Sequence, residues 1–184
     1  MMSEHFKGKF EVELKYRLKS KSQFLTILKS ITHEVMVQDN LESDCYFDTF
    51  EQHLLAENKS LCIREMEPSG IKLWIVKGPE ADRCEATNIT DANKAKSMLK
   101  TMGYHVVLAM KKTRCIYFVG KFHITVDNLE GLGDFAEFAI MTDDDSLLDG
   151  YRSELIFLAN KFGLSSMDLE HRSYRKIYSE SLTV

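Results

Sequence analysis

The sequence predicts an α+β domain of about eight strands, mostly joined as antiparallel neighbours into a large sheet or closed barrel, with three or four helices outside it. Three observations carry this. Residues 10–17, Phe-Glu-Val-Glu-Leu-Lys-Tyr-Arg, alternate apolar and charged without a fault; short strand-like runs recur between turn signals; and a few segments carry apolar residues at helical spacing.

Taken in order, the first strand puts Phe10, Val12, Leu14 and Tyr16 on one face and Glu11, Glu13, Lys15 and Arg17 on the other. Ser22 caps a helix reaching about Ile31, with Phe24, Leu25, Leu28 and Ile31 as its apolar stripe. Strands follow near 44–48, 60–66, 71–77 and 83–89, the middle pair joined by the turn Glu67-Pro68-Ser69-Gly70. Thr90 caps a helix that runs to about Met102 and stops at Gly103. Three more strands are expected at 104–119, with a break, then 121–129 and 133–140, the last two joined through Gly131 and Gly133. Thr142 and Asp143, Asp144 and Asp145 open a long helix carrying Leu147, Leu148, Tyr151, Leu155, Leu158 and Phe162 and ending at Gly163. A short basic and aromatic helix over 171–180 completes the chain, with no linker or repeat, so residues 1–184 read as one domain.

At 184 residues a folded chain buries roughly 70% of its unfolded surface, enough for a core without disulfides. Cys45, Cys62, Cys84 and Cys115 show no zinc spacing and read as reduced packing residues. The net charge of −4 argues against a nucleic-acid binder. No apolar run is long enough to span a membrane and the first residues do not resemble a secretion signal, so the expected location is the cytoplasm.

Function is carried by charges on strands. Arg64, Lys77, Arg83, Glu85, Lys112, Arg114, Asp127 and Glu137 all sit among apolar neighbours, where a lone charge is costly unless paired or metal-bound. Glu11 and Glu13 are separated by about 6.6 Å along one strand face and can converge on a divalent ion; oxygen ligands suit Mg²⁺ or Mn²⁺. Acids that hold a metal beside Lys and Arg that neutralise phosphate oxygens form a site for a metal-bound polyphosphate or nucleotide. A solvated, salt-bridged face is the alternative that these residues leave open. The six His show no ligand spacing, although His123 shares the face of Asp127.

The segment Glu11-Val12-Glu13-Leu14-Lys15 resembles the E-x-E-x-K signature of the CYTH superfamily, the triphosphate tunnel enzymes that include class IV adenylate cyclases and thiamine triphosphatases. Ile63-Arg64-Glu65, Trp74-Ile75-Val76-Lys77-Gly78-Pro79, Arg83-Cys84-Glu85-Ala86, Lys112-Thr113-Arg114, Ile124-Thr125-Val126-Asp127, Gly131-Leu132-Gly133-Asp134-Phe135-Ala136-Glu137 and Arg172-Ser173-Tyr174-Arg175 follow in order over residues 8–178. The second and the sixth of these seven blocks after the signature are worded most like the bacterial class IV adenylate cyclases. The resemblance implies an eight-stranded antiparallel tunnel that converts ATP to 3′,5′-cyclic AMP and pyrophosphate with two divalent ions, commonly as a homodimer. It implies Glu11, Glu13 and Glu137 as metal ligands, with Asp127 a less certain contributor. Arg64, Lys77, Lys112 and Arg114 correspond to residues that grip the triphosphate, with Arg83 added here; Lys15, Lys112 and Arg114 are the candidate catalytic residues. Many triphosphatases of the superfamily carry a further Arg where this chain has Cys62, a departure that favours cyclisation over hydrolysis. Inorganic or thiamine triphosphate hydrolysis, or polyphosphate binding without turnover, are the alternatives.

Overall fold

The computed structural model describes residues 4–182. Its elements are β1 (Phe10–Leu18), α1 (Lys21–Lys29), β2 (Glu34–Asp48), α2 (His53–Ala56), β3 (Ser60–Glu67), β4 (Lys72–Lys77), β5 (Cys84–Asn88), α3 (Ala92–Thr101), β6 (His105–Val119), β7 (Phe122–Leu129), β8 (Gly133–Thr142), α4 (Leu148–Lys161) and α5 (Tyr174–Ser181). The eight strands are hydrogen-bonded in the order β1-β8-β7-β6-β2-β3-β4-β5. Ladders β1–β8, β8–β7 and β7–β6 are antiparallel, as are β2–β3, β3–β4 and β4–β5. The expected α+β class with eight antiparallel strands is therefore what the chain forms.

By internal contact the chain falls into two compact units, one comprising residues up to Asp39 with Lys112–Arg172, the other Asn40–Lys111 with the segment from Ser173. In the first unit the alternation of β1 decides everything. Val12 and Tyr16 join Ile124, Val126, Ala136, Phe138, Ile140, Cys115 and Tyr117 on the apolar face of the sheet. Phe24 and Leu28 of α1 and Leu155, Leu158 and Ala159 of α4 cover that face. Phe24 stacks on Phe162 at 4.5 Å between ring centroids, and Phe138 meets both edge-on. Full burial of side chains of this size contributes about 1.5–3 kcal/mol each before entropy is counted. The apolar half of each strand being committed to this core, the charged half must face the other way.

The second unit repeats the scheme. Phe47, Leu61 and Ile63 pack with Ala92, Ala95 and Leu99 of α3, while Cys62, Ile75 and Cys84 form a smaller apolar cluster with Tyr46 at its edge. At the end of β4, Gly78 has φ +87°, and a Cβ there would fall 1.9 Å from the Asn58 carbonyl oxygen. Glycine is required at that point, directly after Lys77.

Several boundaries differ from expectation, each for a local reason. Strand β2 begins at Glu34 instead of near 44, because Asn40, Glu42 and Asp44 are buried while Val35 and Leu41 are exposed, the reverse of an ordinary strand pattern. Asp39 takes a left-handed φ of 49° within it. Strand β6 is continuous through the expected break: Lys111 is exposed and Lys112 buried, so the pair of lysines obeys the period-two alternation. Ser20, not Ser22, caps α1 by accepting from Gln23 N–H, and Asp91, not Thr90, caps α3 by accepting from Lys94 N–H. The triple Asp opens a 3-10 turn, Asp145–Leu147, capped by Asp144, before α4 starts. All four cysteines are free thiols, as expected. Among the described residues no helix is long and apolar enough to cross a membrane.

Candidate active site

The strand registers turn the sequence phase into a grid. On the charged face of the first unit one row runs Lys15, Glu137, Thr125; the next runs Arg17, Phe135, Asp127, Arg114; and on the other side lies Glu13, Ala139, His123. Glu137, embedded among apolar residues in sequence, thus stands directly beside Lys15. This is the costly lone carboxylate resolved by pairing.

Arg114 is the hub. Its Nε and Nη2 donate to Asp127 Oδ1 and Oδ2, each at 2.6 Å, and Nη2 also donates to Glu137 Oε2 at 2.8 Å. Thr125 Oγ1 donates to the same Glu137 oxygen at 3.2 Å. The other Glu137 oxygen lies 3.3 Å from Lys15 Nζ, which is also 3.9 Å from Glu13 Oε1 and donates to the Arg172 carbonyl at 3.2 Å. Side-chain exposure is 0% at Asp127, 7% at Glu137 and 9% at Lys15 and Arg114, but 25% at Glu13. The network is closed at Asp127 and opens toward Glu13. Glu11 Oε1 is 3.3 Å from His123 Nε2, and Lys112, two residues from Arg114 on the same strand face, is buried.

The second unit carries its own charged face. Arg64 forks onto Asp44, with Nε to Oδ1 at 2.7 Å and Nη2 to Oδ2 at 2.8 Å, and its Nε lies 3.3 Å from Glu42. Burial, then the Asp44 carboxylate, push the Tyr46 hydroxyl pKa up, while Arg64 and Lys77 pull it the other way. The strand registers put Tyr46 level with Cys62 and Ile75, so Arg64 and Lys77, each two residues further along its strand, share the face of Tyr46. Arg83 stands apart from them in its partner, pairing with Glu85 at 2.9 Å, and Glu85 faces Val76 across the ladder.

The structure thus brings together Glu13, Lys15, Arg114, Asp127 and Glu137 in one network, and sets Arg64 and Lys77 on the same sheet face as Tyr46. Sequence reasoning missed Glu42, Asp44 and Asp48. Asp48 Oδ1 accepts from the N–H groups of Thr49 and Leu54, and Oδ2 from that of Leu55, anchoring α2. Arg175 of α5 lies over the Tyr46 ring at 5.7 Å and within 3.9 Å of Asp48. The available signal was the phase itself: residues 42, 44, 46 and 48 alternate as residues 11, 13, 15 and 17 do.

Glu170 secures the first unit from outside this network. Its N–H donates to the Lys15 carbonyl, and its carboxylate accepts from Arg172 and Arg17. Those guanidinium contacts, Arg172 first, lower its pKa to about 2. A depressed carboxylate contributes stability above its ordinary value near 4.5 and loses it as pH falls toward the folded value. Wild-type thermal stability should therefore exceed that of Glu170→Gln at pH 7, and the gap should close between pH 4.5 and pH 2, measured by circular-dichroism melts across that range.

Among the described residues no group of three His, Cys, Asp or Glu side chains gathers closely enough to cage a metal unaided. The donor set still fits a hard divalent cation. The face carries the carboxylates of Glu11, Glu13, Asp127 and Glu137 against the cations of Lys15, Lys112 and Arg114, and Lys15 Nζ is itself a positive charge held between Glu13 and Glu137.

A buried sheet face of paired carboxylates and cations is suited to a charged ligand, and the CYTH domain model matches residues 9–174: the chain belongs to the CYTH family. It is 62% identical to the adenylate cyclase CyaB of Aeromonas hydrophila over 184 residues, which is all of this chain and 96% of that protein. A solved Vibrio parahaemolyticus protein superposes with a TM-score of 0.92 at 59% identity, over 94% of this chain and 99% of that one. A Hippeastrum protein, described as having a dominant triphosphatase activity, shares the fold at 17% identity and a TM-score of 0.58, over 93% of this chain and 96% of that one.

Proposed function

We propose that this protein is a class IV adenylate cyclase, converting ATP to 3′,5′-cyclic AMP and pyrophosphate. The observation that carries this is the end-to-end 62% identity to the Aeromonas cyclase, and the charged face of the first unit supports it. The ribose 3′-oxygen attacks the α-phosphorus, the bond from that phosphorus to the pyrophosphate oxygen breaks, and the 3′-hydroxyl proton is released to solvent. Attack and departure are in line, so holding the ribose folded over the α-phosphate supplies the entropic part of the acceleration.

Glu11, Glu13 and Glu137 would hold one or two Mg²⁺ or Mn²⁺ ions, with Asp127 as a further contributor. Divalent ions bound there supply positive charge to the attacking and leaving oxygens. Lys15 places its ammonium near the nucleophile while orienting Glu13 and Glu137. Lys112 and Arg114 stabilise negative charge on the reacting phosphates, and Arg64, Lys77 and Arg83 are assigned to the triphosphate on the family pattern. Of the three arginines Arg83 is the weakest member, since its side chain is 31% exposed against 16% for Arg64 and 9% for Arg114. Asp127, gripped on both oxygens by Arg114, aims that guanidinium and would reach a metal only with an oxygen that it shares with Arg114.

Triphosphate hydrolysis is the second reading, favoured by the activity described for the Hippeastrum protein of the same fold. Against it stands Cys62, where many triphosphatases carry a cation; here the thiol is packed with Ile75 and Cys84. We assign residues 1–184 to a single domain acting as a cytoplasmic homodimer, without nucleic acid or membrane. Incubation of purified protein with ATP and Mg²⁺ or Mn²⁺ should yield cyclic AMP on chromatography. Orthophosphate without cyclic nucleotide would refute the assignment.

A further inference from the structure

We infer that His123 is a positioning residue that fixes the carboxylate of Glu11 for metal binding; this rests on the reading of Glu11 as a metal ligand. Geometry comes first. His123 lies level with Glu13, separated from it by Ala139 on the strand between. Alanine leaves room above the sheet, and the imidazole reaches across it and one step along β1, bringing Nε2 to 3.3 Å from Glu11 Oε1. An ionised carboxylate only accepts, so Nε2 carries the hydrogen.

The ring is held from other directions as well. Phe6, from the 3-10 turn Glu4–Phe6, packs on it at 4.7 Å and 48°, and His5 stacks on Phe118, the residue paired with His123 across β6 and β7. His123 is 2% exposed, and its Nδ1 is buried with no hydrogen-bond partner among the described residues. Buried polar atoms are almost always satisfied, and a position needed only for packing would be filled at less cost by Leu or Phe. What the imidazole supplies there that an apolar residue cannot is the Nε2–H at Glu11. Glu11 has 14% side-chain exposure, and the His123 contact restricts where its carboxylate can point. A partner that orients a metal ligand in this way is worth about 10- to 100-fold in metal affinity when removed.

The test is Mn²⁺ binding to the nucleotide-free protein, read from the electron paramagnetic resonance signal of free Mn²⁺, with melting curves on each variant. His123→Leu fills the volume without a donor and should weaken binding about 10- to 100-fold. His123→Gln presents an amide N–H toward Glu11 and should stay within about threefold of wild type, an amide replacing the lost donor. Wild-type affinity in His123→Leu, with Glu11→Gln weakened, overturns the inference alone. Equal loss in His123→Leu and His123→Gln overturns it too, since the donor would then be irrelevant. Unchanged binding in Glu11→Gln would overturn the metal reading of Glu11 and this inference with it.

Discussion

Glu13→Gln should lower cyclic AMP formation by on the order of 10³-fold while leaving the protein folded. The substitution keeps the shape and removes one negative charge and one strong metal-ligating oxygen. Its structural cost is small because Glu13 is the most open member of the network: its ion pair with Lys15 is 3.9 Å long and its side chain is 25% exposed. Pairs of that kind contribute about 0–1 kcal/mol, and Lys15 retains its 3.3 Å contact with Glu137 and its bond to the Arg172 carbonyl. At this size 1 kcal/mol moves the melting temperature by about 2–4 °C, so the variant should melt within a few degrees of wild type. Near-normal turnover in a folded Glu13→Gln protein would contradict the assignment of the first-strand acids.

Arg114→Met should do the opposite, damaging stability as well as activity. Arg114 satisfies both oxygens of Asp127, which is fully buried, and one of Glu137. Removing one partner of a buried ion pair leaves an uncompensated charge and typically costs about 3–5 kcal/mol. At roughly 2–4 °C per kcal/mol, a fall of about 6–20 °C in melting temperature is expected. The double variant Arg114→Met, Asp127→Asn should recover part of that loss, because the orphaned charge is gone, yet stay inactive. Thermal denaturation of the two variants with a cyclic AMP assay checks both halves. A melting temperature unchanged in Arg114→Met would show that the pair carries no weight in the folded state.

Much of this charged face is legible in the sequence. The faultless alternation of β1 committed Val12 and Tyr16 to the core, which left Glu11, Glu13 and Lys15 a shared opposite face. Glu137 was conspicuous because Phe135, Ala136, Phe138, Ala139 and Ile140 surround it in sequence, and in the fold it pairs with Lys15 and Arg114. The register that sets those pairs was not legible, since strand phase says which face a residue takes but not which neighbour it meets.

The first half of β2 stayed hidden for a related reason. Asn40, Glu42 and Asp44 are inside and Val35 and Leu41 outside, so hydropathy points the wrong way wherever a strand buries charge against charge. Arg64 makes a related point: strand phase singled it out as a cation among apolar neighbours, but not Asp44, the carboxylate that its guanidinium forks onto in the fold. The caps of α1 and α3 differed by one or two positions because Ser20 and Asp91 have extended backbone angles suited to capping, and both sites offered competing Ser or Thr residues nearby.

Phosphorus NMR of one preparation given ATP and, separately, inorganic tripolyphosphate in the presence of Mg²⁺ tests the central claim most directly. Cyclase chemistry requires a ribose 3′-hydroxyl, so ATP should give the resonances of cyclic AMP and pyrophosphate in equal amounts while tripolyphosphate remains intact. Orthophosphate released from either substrate, with no cyclic AMP, would contradict it.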